Sequence, residues 1–399
     1  MSEILIGRQQ ILDSRLNIYA YEILFRGRDF DLSHIEGAAN ATNQVISDLL
    51  LEIGLNDIVG SAKAFINFTT RNLLEKTPLS LPKDRIVIEV LENITIDQTI
   101  IDNLNEFARE GYTIALDDFV FTPEWVPLVK IADIIKLDVK ATPLPKLLAL
   151  IEKLKRFNIT LLAEKVETPE QFEVLKSAGC ELFQGFFFSV PHTVVGKRLG
   201  VNQAAAVELL AKINIPEASV DDISTIISHD VGLSYKLLRY INSAFLGLPN
   251  KIESIKHAVT YLGINEIKRW VNILTLTSLS DKPAALFQQI LIRGKMCELL
   301  AKLYNEVPEH LFLIGLLSSL DSLLDIPLAD ALEQLPLSED VYSAILQHSG
   351  TAGEILSYVI SYERWELTEY TLSQIGPKNI GEVYLESIYW ADNVLGSIS

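Results

Sequence analysis

Cysteine is nearly absent from this chain of 399 residues: it has two, Cys180 and Cys297, far apart in sequence. That excludes a disulfide scaffold and a Cys-rich zinc site. Basic charge is the minority, 34 Lys and Arg against 52 Asp and Glu, for a net −18. Such a balance argues against a general nucleic-acid binder, because phosphate contacts need a basic surface. No uninterrupted apolar stretch reaches the ~18 residues of a membrane-spanning helix. The start, Met1-Ser2-Glu3-Ile4, has neither a basic n-region nor a long apolar core, so no signal peptide is expected. Internal repeats and low-complexity tracts are also missing. The expectation is a cytoplasmic protein with no membrane segment.

What is present is ample material for cores, with 49% hydrophobic and 22% charged residues. The length suits two or three domains. Up to about residue 190, strand-like runs alternate with helix-period runs. The expected strands are Ile4–Leu12, Ile18–Phe25, Ala64–Asn67, Arg85–Leu91, Thr113–Asp117, Ile134–Leu137, Thr160–Glu164 and Leu182–Gln184. Helix-period segments include Ala41–Ile53 and Pro145–Lys155. Repeated β-α alternation predicts a mostly parallel sheet closed as a barrel. From about residue 202 strand signals nearly vanish. Helical periodicity runs through Ala204–Ile213, Ile223–Ser228, Ser234–Ala244, Ile252–Leu262, Ile264–Leu279, Leu286–Tyr304 and Leu311–Leu324. The fold class is α/β plus all-α: a barrel over residues 1–192, a linker at 193–203 and a helical domain over 204–399.

A series of polar residues follows the short apolar runs of the first half. Glu22 stands in Tyr21-Glu22-Ile23-Leu24-Phe25-Arg26, and Asn67 in Phe65-Ile66-Asn67-Phe68-Thr69. Glu89-Val90-Leu91-Glu92, Asp117-Asp118-Phe119 and Lys136-Leu137-Asp138 come next. Ala163-Glu164-Lys165-Val166-Glu167-Thr168 and Gln184-Gly185 complete the series. Each falls at the C-terminal end of an expected strand, where a parallel β/α barrel collects its active-site side chains. Carboxylates, an amide and a lysine converging there suit a divalent metal and a phosphate ester.

In this order, the pieces resemble the EAL domain family, the cyclic di-GMP phosphodiesterases, over roughly residues 3–192. The resemblance implies a site for Mg²⁺ or Mn²⁺ built from Glu22, Asn67, Glu89, Asp117 and Asp118. It implies that Lys136, Glu164, Glu167 and Gln184 orient or deprotonate water, and that Arg26 pairs with a ligand phosphate. Metal ions would supply the positive field that lets an acidic chain hold one cyclic dinucleotide. Two departures from the family stand out. After Asp118-Phe119 the chain continues Val120-Phe121-Thr122-Pro123-Glu124-Trp125-Val126-Pro127, where active members have a glycine-containing, Ser-rich loop. The apolar rings Phe121 and Trp125 are expected to pack on the helical domain or a second subunit. Lys165 stands where active members carry glycine; an ammonium there could replace a metal's charge and leave the site metal-free, but strand parity turns it away from Glu164, as an exposed or loop-facing lysine.

The second half resembles the HDOD family, a derivative of the HD phosphohydrolase fold without its metal ligands. The carrying residues run from His229-Asp230-Val231-Gly232 through Asn242-Ser243-Ala244, and from Ile252 to Gly263. His229-Asp230 looks like a metal signature, but the place resembling the second ligand pair holds Ser318-Ser319. With six histidines in the whole chain, no metal is expected in this half. Asn242-Ser243-Ala244 reads as a helix stop or as a polar contact for a partner. The resulting expectation is a bacterial-type signalling protein of the cyclic di-GMP system. Its barrel would bind ligand with reduced or absent hydrolysis, and a protein partner would dock on the HDOD domain or on loop 120–127. The alternative is an active phosphodiesterase producing the linear dinucleotide. A third reading makes both halves scaffolds that no longer meet nucleotide.

Overall fold

The computed structural model describes residues 5–26, 54–92, 94–119, 122–189, 201–215, 218–243, 246–247, 251–278, 282–366 and 377–398. Packing divides the chain into two compact units, Met1–Val190 with Ile375–Glu382 and Pro191–Gln374 with Val383–Ser399. The expected linker at 193–203 and the expected helix Ala41–Ile53 fall largely or wholly outside the described residues.

The first unit is a closed eight-stranded barrel in sequential order. Its strands are β1 (Leu5–Asp13), β2 (Ile18–Arg26), β3 (Lys63–Phe68), β4 (Ile86–Val90), β5 (Thr113–Leu116), β6 (Ile134–Asp138), β7 (Thr160–Glu164) and β8 (Leu182–Gln184). Neighbours from β2 to β8 are parallel, whereas β1 runs antiparallel to both β2 and β8. The reversal follows from a short connection. Asp13 accepts backbone N–H bonds from Arg15 and Asn17 at 2.8 and 2.9 Å, folding the chain back as a hairpin, which only antiparallel strands can use.

One layer of the barrel interior draws a single side chain from every strand: Ile11, Ala20, Phe65, Val87, Ala115, Ile134, Leu162 and Leu182, all buried. Side chains alternate faces along a strand. The residue two positions further toward the C-terminal mouth therefore points inward as well. In β2 to β8 those residues are Glu22, Asn67, Glu89, Asp117, Lys136, Glu164 and Gln184. In β1, which runs the other way, the matching residue is Gln9. The apolar layer is thus a floor under a ring of polar side chains.

The second unit is helical in its described residues. Its most enclosed element, Ala284–Ala301, is buried on nearly every side. A Cβ added to Gly315 of helix Pro308–Leu317 would lie 2.8 Å from Gly294 Cα, so these two helices touch through glycine. Trp270 stacks on Tyr240 at 3.6 Å between ring centroids. The single helix expected over Leu311–Leu324 is instead two, Pro308–Leu317 and Leu320–Leu324. The break falls at Ser318 and Ser319, whose hydroxyls accept hydrogen bonds from buried Arg293 at 3.1 and 2.5 Å. Glu363 pairs with the same guanidinium at 2.6 Å.

The other polar motifs of this unit also have structural roles. His229 ends helix Val220–Ser228, and the Asp230 carboxylate caps helix Val231–Ile241 by accepting from Leu233 N–H at 2.9 Å. Asn242 clasps the chain at Ile252, accepting from its N–H and donating to its carbonyl, both at 2.8 Å. Asn242 is also the C-cap of helix Val231–Ile241, the helix stop read from the sequence. Among the described residues no helix is long and apolar enough to cross a membrane.

Candidate active site

Lys136 rises from β6 into the centre of the polar ring and is fully buried. Its ammonium lies 2.5 Å from Glu89, 2.8 Å from Glu164, 2.9 Å from Asp117 and 3.4 Å from Glu22. Burial opposes the charged ammonium, but Glu22, Glu89, Glu164 and Asp117 together hold it well above the ordinary lysine range. The strand register makes this convergence possible. Asn67 sits level with Glu89 in the β3–β4 pair, and Gln9 level with Glu22 in the hairpin.

Glu22 is further fixed by two amides. Gln184 donates to its Oε2 at 2.6 Å and Asn67 donates to its Oε1 at 3.2 Å. Gln184 also donates to Gln9 Oε1 at 2.8 Å. The sequence reading missed Gln9, although the hairpin register was a signal: on a reversed strand the inward neighbour of Ile11 at this mouth is two residues earlier. Next to Gln184, the chain needs glycine at 185. Its φ is 143°, and a Cβ there would meet the Val166 carbonyl at 2.0 Å; Val166 N–H bonds the Gln184 carbonyl at 3.0 Å, locking β8 to the loop after β7.

Negative charge exceeds what Lys136 balances. Burial, then repulsion from Glu22, pushes Glu89 well above the usual carboxylate range. Burial similarly raises Glu164 to about 8. Carboxylate oxygens of Glu22, Glu89 and Asp117 lie within 4.8 Å of one another, as do those of Asp117, Asp118 and Glu164. Two groups of hard oxygen donors thus share Asp117, an arrangement suited to Mg²⁺ or Mn²⁺. The orphaned atoms agree: Glu89 Oε2 and Asn67 Oδ1 are buried without a hydrogen-bond partner. Buried polar atoms rarely stay unpaired, and these residues fit a cation.

Not every expected residue joins the ring. Glu167 is exposed and pairs with Lys140 at 2.6 Å; its backbone N–H bonds Gln171 at the start of the next helix, which carries it off the mouth. Arg26 ends β2, and its side chain lies outside the described residues. Asp118 is half-buried at the edge of the mouth with φ 42°, its N–H bonded to Asp117 Oδ1 at 3.0 Å. Burial and then the Asp117 charge raise its pKa, against the pull of Lys165.

Lys165 is exposed and lies past the end of β7, as the loop-facing reading has it, but not because of strand parity. Strand parity presumes extended backbone, but its φ is 56°, so the alternation ends at Glu164. The side chain bends across the rim, bonding Asp138 and standing 3.8 Å from Asp118. In the loop after Asp118 the expected burial of Trp125 is found, against a ring of its own barrel. Val120 and Phe121 lie outside the described residues, but Trp125, in the 3₁₀ turn Pro123–Trp125, is buried. Its ring meets the edge of Phe119 at 5.8 Å, within its own barrel.

The EAL domain matches residues 43–191 and the HDOD domain residues 201–372. The uncharacterized protein YuxH of Bacillus subtilis is 32% identical over 98% of this chain and 99% of its own length. Cyclic di-GMP phosphodiesterase CdgJ of Vibrio cholerae is 30% identical over 98% of this chain and 92% of its own. The solved PaMucR phosphodiesterase, in complex with c-di-GMP, covers 51% of this chain and 99% of its own at 18% identity. Its TM-score of 0.40 is too low to argue from. Two full-length relatives and both domain matches agree with the barrel and the helical unit: this chain belongs to the EAL–HDOD two-domain signalling family.

Proposed function

We propose that the barrel mouth binds cyclic di-GMP through a divalent ion, hydrolyses it slowly or not at all, and so serves as the ligand-sensing half of a signalling protein. The observation that carries this reading is the clustering of Glu22, Glu89 and Asp117 oxygens within 4.8 Å beside orphaned Asn67 and Glu89 atoms. A mouth this acidic repels a phosphodiester unless a cation intervenes. Glu22, Asn67, Glu89 and Asp117 would hold Mg²⁺ or Mn²⁺, which when bound supplies charge to a phosphodiester oxygen and acidity to water.

The chain's own residues do the rest. Gln184 and Asn67 fix the Glu22 carboxylate by hydrogen bonds at 2.6 and 3.2 Å. Lys136 keeps four carboxylates from spreading apart. In the metal-free barrel burial raises Glu164 to about 8, nearer neutrality than an ordinary carboxyl, which suits a group that exchanges protons with water or a leaving oxygen. Slow turnover is supported by the Phe119–Trp125 contact, which pins the stretch directly after Asp118. Misplacement by ~1 Å next to reacting atoms can reduce rate ~10²-fold. In the helical unit, the polar motifs Asp230, Asn242 and Arg293 are used in capping and packing, which supports an interaction module without chemistry of its own.

The second reading, an active phosphodiesterase yielding the linear dinucleotide, is favoured by the match to CdgJ along 98% of this chain. One experiment separates the two: titrate the full chain with cyclic di-GMP with and without Mn²⁺, then resolve products by chromatography. Mn²⁺-dependent binding with little product is expected, weakened in Glu22→Ala and Arg26→Ala. Equal binding in chelator would end the metal-mediated reading. Rapid turnover lost in Glu22→Ala and Lys136→Ala would establish the enzyme.

A further inference from the structure

Asp118 and Lys165 face each other across the rim, and both hold left-handed backbone, φ 42° and 56°. Side chains other than glycine adopt that region only under constraint. An ionic link lies between them as well. Lys165 Nζ bonds Asp138, which is also held by the N–H groups of Lys140 and Ala141 at 2.7 and 2.9 Å. The same ammonium stands 3.8 Å from Asp118 Oδ1. Asp118 is one of three carboxylates in the outer oxygen group, with Asp117 and Glu164. Lys136 touches donors of both groups, Glu22, Glu89 and Asp117 in the inner and Asp117 and Glu164 in the outer. Lys165 is therefore the cation that distinguishes the outer group from the inner.

We propose that Lys165 is a tethered cation standing in for a second metal ion, so that the mouth takes one divalent ion at the inner group and none at the outer. This rests on the metal-binding reading proposed above. An ion on Asp118 would lie ~2.0–2.6 Å from its oxygen and would meet the ammonium at close range, where like charges repel strongly. As a mere strut the pair would contribute little, because Lys165 is half-exposed and such pairs are screened by water. Its place beside the outer group gives it a consequence that a strut lacks. One-ion occupancy leaves one of the two clamped oxygens of a phosphodiester displacement without its metal.

The test is a Mn²⁺ titration of the full chain, read by loss of the free-ion paramagnetic resonance signal and by the exchange-coupled spectrum of an ion pair. The variants are Lys165→Gly, which removes the charge and relaxes the backbone, and Lys165→Met, which removes the charge alone. Wild type should bind one ion with an uncoupled spectrum. Both variants should gain a second, coupled ion, with affinity for it at least ~10-fold above wild type, and adding Asp118→Asn should remove it. A coupled pair in wild type overturns this inference and leaves the metal reading intact, as do variants that stay at one ion. Failure of wild type and variants alike to retain Mn²⁺ overturns the metal reading and this inference with it.

Discussion

Each unit holds a buried cation at the centre of a polar cluster, and the two are balanced very differently. Arg293 in the helical unit meets one carboxylate, Glu363, and two hydroxyls, Ser318 and Ser319. Lys136 in the barrel meets four carboxylates, with buried acceptor atoms left over. The first cluster is closed: charge and hydrogen bonds are matched, so nothing further is required of a ligand. The second is open, and its excess of oxygen donors is what a divalent ion would relieve. In the helical unit Ser318 and Ser319 are taken up by a guanidinium; in the barrel the oxygen donors remain open.

The comparison breaks most sharply at Glu363. Its replacement by alanine leaves Arg293 buried and unpaired, a loss of about 3–5 kcal/mol. Chemical denaturation should show this as early unfolding of the helical unit. Little change in its midpoint would mean that the Arg293 cluster is not closed as described. In the barrel the same logic runs the other way. Glu89 is already raised toward its protonated form, so Glu89→Gln should leave metal-free stability within ~1 kcal/mol of wild type, since an amide imitates the neutral acid. Mn²⁺ affinity, measured by calorimetry, should fall ~10²-fold or more. Retained affinity would remove Glu89 from the inner group.

A smaller effect is expected from pH. Glu164 is raised from 4.5 to about 8 and Glu89 is raised by burial too, so the folded metal-free barrel holds protons that the unfolded chain has released. Stability is then greatest below the unfolded value and declines as pH climbs from ~5 toward 8. Tm in chelator should fall across that window by about 2–4 °C per kcal/mol, and Mn²⁺ should flatten the slope. A metal-free Tm that rises with pH would contradict the carboxylate assignment. Smallest of all is Gln9→Ala. It removes one hydrogen bond to Gln184 and loosens Glu22 indirectly, for ~1 kcal/mol in stability and about tenfold in Mn²⁺ affinity.

Much of the barrel could be read in advance because each strand states its own period. Seven of the eight ring residues follow an apolar run at the right parity, and parallel neighbours keep them level. Gln9 escaped because reversing β1 also reverses which neighbour of Ile11 faces the mouth. For Lys165 the exposed position was legible, but parity was not sound ground for it: parity assumes extended backbone, and one left-handed residue cancels it. Glu167 belongs to the expected site because the EAL resemblance implies it, yet its side chain pairs with Lys140 and its backbone N–H bonds Gln171 at the next helix start. In the helical unit, periodicity ran straight through Ser318 and Ser319. The break there comes from Arg293, 25 and 26 positions away, a partner that local pattern does not contain.

The antiparallel first strand has a consequence for how the mouth comes into being. Ile11 pairs with Gln184 where β1 meets β8, and the Gln184–Gln9 bond joins residues 175 positions apart. A ribosome must therefore release the whole barrel before its first strand can find its last partner. Contacts of such long range form slowly, because loop closure is unfavourable until they are made. Metal capture would consequently mark the completion of folding in the barrel, and a nascent or truncated chain lacking β8 would carry the acids without the cup.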